Sequence, residues 1–252
     1  MRGIIALRSG SRVFCLLSHH SRTRVESARP REHRLPEVLL PLFPLEVVLL
    51  PEELLPLHIF EDRYKEMIGE CLAAKSLGSP GQEFGVVLAK KGEMEAVGCC
   101  ARIVNVTRKY RDGRMDILTV GTRRFEVVLT NDEKPYLRGE VEFFEDETGA
   151  EVAEDPDAQR AIDLFRSAMQ KFHRAADMPI QLPRPYRYLS FRIAAPLPLE
   201  LGFKQRLLSI LNETERLRQV VRVIEQLIAQ LELVEKAKAK AGGNGNVLRE
   251  NH

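Results

Sequence analysis

Five short apolar runs lie between Phe84 and Phe144, and turn-forming residues separate them. Phe84–Ala89 (FGVVLA) is followed by Val97–Tyr110, and Arg111-Asp112-Gly113-Arg114 then supplies an Asp-Gly pair that suits a tight hairpin. Met115–Val120 is the return strand. Gly121 marks a bulge or turn, Arg124–Leu129 (RFEVVL) resumes extended chain, Asn131 to Pro135 turns again, and Tyr136–Phe144 (YLRGEVEFF) closes the block. Strands joined by such short connections pair with near neighbours, so the block predicts a small barrel or a strongly bent sheet.

The residues ahead of this block read as a strand and a helix. Leu39–Leu50 (LLPLFPLEVVLL) is a buried strand entry whose prolines suit an edge or a bend. Pro51 to Pro56 reads as a turn. From Phe60 the period becomes helical: Phe60, Tyr64, Met67, Ile68, Cys71 and Leu72 share one face, with Glu61 and Asp62 at the positive end of the dipole. Leu77 to Gln82 (LGSPGQ) closes the helix.

The chain after the block is helical. Glu145–Asp155 is acidic and poor in large apolar groups, which marks a boundary. Asp155-Pro156 opens a helix with apolar face Ala161, Ile162, Phe165, Ala168, Met169 and Phe172. Met178–Pro185 is a proline-rich connection, and helices from Tyr186 to Ala194 and Leu199 to Leu211 follow. Asn212 and Glu215 form a capping box for the last helix, where Leu217, Val220, Ile224, Leu227, Leu231 and Val234 repeat at spacings of three and four. The predicted organisation is a disordered basic leader at 1–34, a barrel domain at 35–148, a helical subdomain at 155–236 and a disordered tail at 241–252.

Charge is unevenly spread. The leader holds eight Arg against two Glu, a balance of +6, so the remainder carries −4 of the +2 total. The folded part is mildly acidic, which argues against nucleic acid as a partner. The leader's composition also fits a mitochondrial presequence, but the expectation here is a disordered extension. No apolar run approaches the roughly 20 residues that cross a bilayer. None of the four cysteines, Cys15, Cys71, Cys99 and Cys100, sits in a C-x-x-C pair, so free thiols and a reducing, cytoplasmic compartment are expected.

Catalytic motifs are missing. No P-loop, G-x-S-x-G elbow, H-E-x-x-H pair or strand-linked G-x-G-x-x-G occurs. The densest polar stretch is LPLHIFEDRYKEMI (55–68), which packs His58, Glu61, Asp62, Arg63 and Tyr64 together. His58 precedes the helix, so it cannot share a helical ligand pair with Glu61 or Asp62, and no third ligand is nearby. No metal and no cofactor are expected. Arg123-Arg124-Phe125 has the basic-plus-aromatic look of a nucleic-acid contact. With one aromatic in an acidic setting, it reads better as Arg124 paired inside the barrel and Phe125 in the core.

The segment PLFPLEVVLLPEELLPLHIFEDRYKEMI (41–68) resembles the opening of the Lon protease N-terminal substrate-binding domain, with its P-L-F-P-L strand and P-L-x-I-F-E-x-R-Y corner. FGVV (84–87), VGCCARIVNV (97–106), DGRMDI (112–117) and GTRRFEVV (121–128) are similar to that family's strands in order, and 189–221 to its helical second half. Glu52-Glu53 stands where relatives have a Pro-Gly turn, so the corner is expected to bend differently.

The resemblance implies an α+β fold. A small PUA-like β-barrel or bent sheet with one or two helices is followed by an α-helical bundle with a long C-terminal helix. It also implies a stand-alone, non-enzymatic polypeptide-binding module with neither ATPase nor protease domain, acting as adaptor or regulator in protein quality control. The implied partners are unfolded or tagged polypeptides, with a protease or chaperone beside them. Phe43, Leu45, His58, Phe60 and Arg124 are the candidate lining residues of an apolar groove. An RNA-binding PUA-like protein is the alternative, on fold analogy alone.

Overall fold

The computed structural model describes residues 4–8, 11–15, 38–76, 83–150, 152, 155–173 and 186–243. It divides into two compact units, one of 1–146 with 198–210 and one of 147–197 with 211–252.

The first unit is a closed ring of five strands with one further strand and a short hairpin outside it. In chain order the strands are β1 (Ile4–Arg8), β2 (Ser11–Cys15), β3 (Val38–Leu45), β4 (Leu54–Ile59), β5 (Glu83–Lys90), β6 (Glu93–Lys109), β7 (Met115–Asn131) and β8 (Arg138–Phe144). β3 pairs with β5, β5 with β6, β6 with β7, β7 with β8, and β8 with β3 again. The β3–β5 pairing is parallel and the others are antiparallel, so the sheet is mixed. β4 lies outside the ring, antiparallel to the first part of β7. In the leader, expected to be disordered, β1 and β2 form a hairpin, and Ala6 bridges to Leu57 of β4.

The prolines of β3 are tolerated because the strand changes partner midway. Val38–Pro41 face β8 and Leu42–Leu45 face β5, so each half has one side free of ladder bonds. The β5–β6 hairpin turns on Lys91 and Gly92, both at positive φ (54° and 87°), the conformation of a type I′ turn. The Asp-Gly hairpin lies between β6 and β7 as expected, with Gly113 at φ 83°. The expected pair of strands 115–120 and 124–129 is one long strand, β7, whose ladder to β6 shifts register beside Gly121. Bending without a break lets its first part serve β4 and its second part serve β8.

Phe125 fills the ring. A Cβ at Gly85 or Gly98 would lie 2.5 Å or 2.6 Å from its ring tip, so two glycines make room for one aromatic. Leu40, Leu42, Val87, Cys100, Val127 and Val141 complete that interior. β5 is buried throughout Phe84–Ala89, which is why it reads as a continuous apolar run.

Helix α1 (Asp62–Ser76) buries Tyr64, Met67, Ile68 and Cys71, the face its period predicts. The Phe43 ring packs against those of Tyr64 at 4.2 Å and Phe84 at 5.8 Å. The expected turn 51–56 is shorter, because Leu54–Pro56 already belong to β4. Glu52 adopts φ 65°, and the glutamate corner is held by its own bonds: Glu53 Oε2 accepts from Leu50 N at 2.9 Å. The predicted loop 77–82 lies outside the described residues.

Helix α4 (Leu201–Ser209), which lies within the helical subdomain expected over 155–236, clusters with this same unit. Gln205 Nε2 donates to Val97 O at 2.8 Å, and Lys204 Nζ lies 3.4 Å from Glu53. The sequence period of α4 says that it is amphipathic but not which layer it covers.

The second unit contains α2 (Asp155–His173), α3 (Leu189–Ala194) and α5 (Glu213–Gly243). α2 buries Ala161, Ile162, Phe165 and Ala168, as its spacing predicts, and its expected Phe172 contact lies outside the described side chains. Asn212 Oδ1 accepts from Glu215 N at 3.0 Å and so caps α5. The α5 seam is buried at Leu217, Val220 and Ile224 and is half-exposed to exposed from Leu227 onward. The helix extends to Gly243, into the start of the tail expected to be disordered. Residues 174–185, with the predicted proline-rich connection, and 244–252 lie outside the described residues.

Candidate functional site

Three of the five candidate lining residues are closed off. Phe43 is held under α1, Leu45 has no exposed surface, and Arg124 is buried. β3 is covered on both faces, by the ring interior through Leu40 and Leu42 and by the α1 layer through Phe43. A sequence run of alternating leucine, phenylalanine and proline cannot distinguish such a strand from one that borders a groove.

Arg124 has a structural task. Its Nη1 donates to the carbonyl oxygens of Leu208 at 2.9 Å and Ile210 at 2.8 Å. These are carbonyls at the end of α4, which lack donor partners within the helix. Nη2 pairs with the buried Asp146, and the guanidinium lies over Phe144. Neighbouring Arg123 binds Glu83 at 3.0 Å and stacks on Phe143. The basic pair considered for phosphate contact is therefore engaged within the protein.

His58 and Phe60 are partly exposed and close together, with ring centroids 5.9 Å apart. They stand at one end of a sheet face formed by β4, β7 and β6. Facing residues in the ladder give three rows: Leu54, Val120 and Arg102; Pro56, Leu118 and Asn105; His58, Asp116 and Arg108. The intervening residues Leu57, Ile117, Thr119 and Ile103 are buried on the other face. Leu54 is 59% exposed, and Pro56, Leu118 and Val120 are half-buried. The face is thus apolar at its centre, basic along the β6 side, and aromatic at the His58 end.

That end is organised by Asp116. Its Oδ1 lies 2.5 Å from His58 Nδ1, and its Oδ2 accepts from Tyr110 Oη at 2.9 Å. Burial alone would raise the Asp116 pKa, but the hydrogen bonds from His58 and Tyr110, with the charges of His58 and Arg108, lower it overall. The carboxylate holds both rings in place, and Arg108 and Arg114 sit over the Tyr110 ring at 4.7 and 5.0 Å. The sequence signal that could have found Tyr110 and Asp116 is their position flanking the Asp-Gly hairpin. It gave no hint that β4 would bring His58 beside them.

The described cysteines are not activated as nucleophiles. Burial raises the thiol of Cys71 to about 11 and that of Cys100 to about 12, and pushes Cys99 up as well. Among the described residues, no group of three His, Cys, Asp or Glu is placed to hold a metal ion, and no helix is long and apolar enough to cross a membrane.

Comparisons with known proteins agree with this architecture. Residues 39–226 match the family model of the ATP-dependent protease La (LON) substrate-binding domain. A Lon protease of Syntrophus aciditrophicus is 23% identical over 229 residues, which is 82% of this chain and 27% of that protein. One from Roseiflexus castenholzii is 30% identical over 204 residues, 76% of this chain and 24% of that protein. The chain therefore spans about a quarter of the length of these relatives. The crystal structure of a Lon N-terminal domain protein from Xanthomonas campestris superposes with a TM-score of 0.57 at 29% identity, covering 73% of this chain and 98% of that one. The N-terminal domain of the Mycobacterium avium complex Lon protease shares the fold, with a TM-score of 0.56 at 19% identity, and covers 75% of this chain and 98% of its own. With the family model matched over most of its length and the same layout of bent sheet and helices, the chain belongs to the Lon substrate-binding domain family.

Proposed function

We propose that this chain is a non-enzymatic polypeptide-binding module that engages exposed apolar segments of unfolded or tagged proteins, as an adaptor or regulator of proteolysis. The observation that carries the reading is the half-exposed apolar face of Leu54, Pro56, Leu118 and Val120, bordered by His58, Phe60 and Tyr110. Apolar walls with a few fixed polar groups suit side chains that are buried in a folded partner and exposed in an unfolded one. Family membership supports it, since the matched model is a substrate-binding domain. A cytoplasmic, reducing location belongs to the same proposal, in keeping with the free thiols of Cys71, Cys99 and Cys100.

The test is a fluorescence titration with a labelled, denatured model protein. Saturable binding is expected in the micromolar range, weakened when Leu54 is made charged. A flat titration up to high micromolar concentrations sinks the reading. At the basic pair Arg124 is buried and Arg123 is held by Glu83, and a parallel titration with structured RNA at low salt is expected to show no shift.

A further inference from the structure

We propose that the outer edge of β4 is a strand-addition site for an extended apolar stretch of polypeptide, and that the chain's own hairpin β1–β2 is its resident occupant. This deepens the polypeptide-binding reading and rests on it. β4 is paired to β7 over six positions, Leu54–Ile59 against Met115–Val120. On its other side it carries one bridge, Ala6 to Leu57. The far part of β6, Ile103–Lys109, also pairs on one side only, but it carries Arg108 and Lys109, whereas the free side of β4 carries no charge.

The composition of that edge is unusual. Exposed edges are commonly guarded by lysines, charges turned inward or a bulge. β4 reads LLPLHI, with no lysine, arginine or carboxylate, and its ladder to β7 runs without a register shift. Pro56 is its one guard, and it removes a single donor. A strand added here would gain main-chain hydrogen bonds from the edge. Its alternate side chains would lie on the same face as Leu54, Pro56 and His58.

β1 shows what fits. Its sequence, IIALR, is apolar and extended, and it runs antiparallel to β4. It pairs with β2 over five positions but with β4 at one, so the hairpin can leave as a unit without loss of its own ladder. Residues 16–37 separate β2 from β3, and 22 residues are ample length to let the hairpin move aside. The leader therefore competes with incoming polypeptide for the edge, and apparent affinity falls in proportion to the fraction of time it is seated.

The experiment compares the full chain with its Ala6→Pro variant, which disrupts the bridging strand outside the ring. Amide hydrogen exchange is followed on β4, with β8 as internal reference, and binding of labelled, reduced and carboxymethylated lactalbumin is titrated for both proteins. Faster exchange on β4 in the variant is expected, with binding about fivefold tighter. Saturating polypeptide is then expected to protect the β4 amides again. Unchanged β4 exchange and unchanged affinity in the variant overturn the proposal. Binding that leaves the β4 amides unprotected overturns it too, while the general polypeptide-binding reading survives. Absence of binding by either protein removes both.

Discussion

A Cβ on Gly121 would lie 2.0 Å from the carbonyl oxygen of Leu50. The chain entering β4 crosses β7 at this point, where Glu52 N donates to Gly121 O at 2.8 Å and Gly121 N donates to Glu53 O at 2.9 Å. Backbone meets backbone with no space for a side chain. Gly121→Ala is expected to destabilise the protein by about 3 kcal/mol or more, because neither partner is a flexible side chain that can move away. Urea unfolding with a fixed slope and a shifted midpoint is the check.

Arg124 and Asp146 form a buried ion pair, and Arg124 also serves the carbonyls that end α4. Arg124→Met removes the guanidinium from the buried Asp146 carboxylate and from two carbonyls, at a cost of about 3–5 kcal/mol. Adding Asp146→Leu is expected to recover part of that loss, since the buried charge deprived of its guanidinium goes while the carbonyls still lack theirs. A double-mutant cycle in urea measures both; a double variant no more stable than the single one would assign the whole loss to the α4 carbonyls.

The depressed pKa of Asp116 predicts an acid-labile contribution to stability. A carboxylate whose folded value lies below its ordinary 3.8 binds its proton less readily in the folded protein. The contribution is therefore complete above the ordinary value and disappears as pH falls through the lower folded one. Asp116→Asn should cost stability at neutral pH, and the gap from the parent should close in strong acid. Thermal melts across the acidic range test this, and a gap independent of pH contradicts it.

Glu213 and Arg216 are both fully buried, with Glu213 also accepting from Ser190 N at 2.7 Å and Ser190 Oγ at 2.9 Å. Glu213→Ala leaves the Arg216 charge without its carboxylate and is expected to cost about 3–5 kcal/mol. Hydrogen exchange should report the loss in α3 and α5, the elements that this network joins.

Leu54 projects from β4 with more than half of its surface exposed, so Leu54→Asp should leave stability within about 0.5 kcal/mol. Polypeptide affinity should fall about tenfold, or ~1.4 kcal/mol. Unfolding curves and the titration described above, run on the same preparation, separate the two effects.

Sequence by itself determined the local structure. Apolar spacing placed the helical faces of α1, α2 and α5, the Asp-Gly pair placed one hairpin, and Asn212 marked the start of the last helix. Each of those depends on residues a few positions apart, where period and turn chemistry act directly. The Lys91-Gly92 hairpin was less legible because lysine is not a usual left-handed residue, and its strand partners hold it there.

Tertiary structure decided the rest. β3 is covered on both faces, so Phe43 and Leu45 became core residues. α4 joined the ring through Arg124, 84 positions from Leu208, and through Gln205, 108 positions from Val97. The His58–Asp116 pair spans 58 positions and exists because β4 and β7 pair in one register. Register and layer assignment are settled by which surfaces are removed from water together, and that depends on the whole packed unit rather than on any window of the chain.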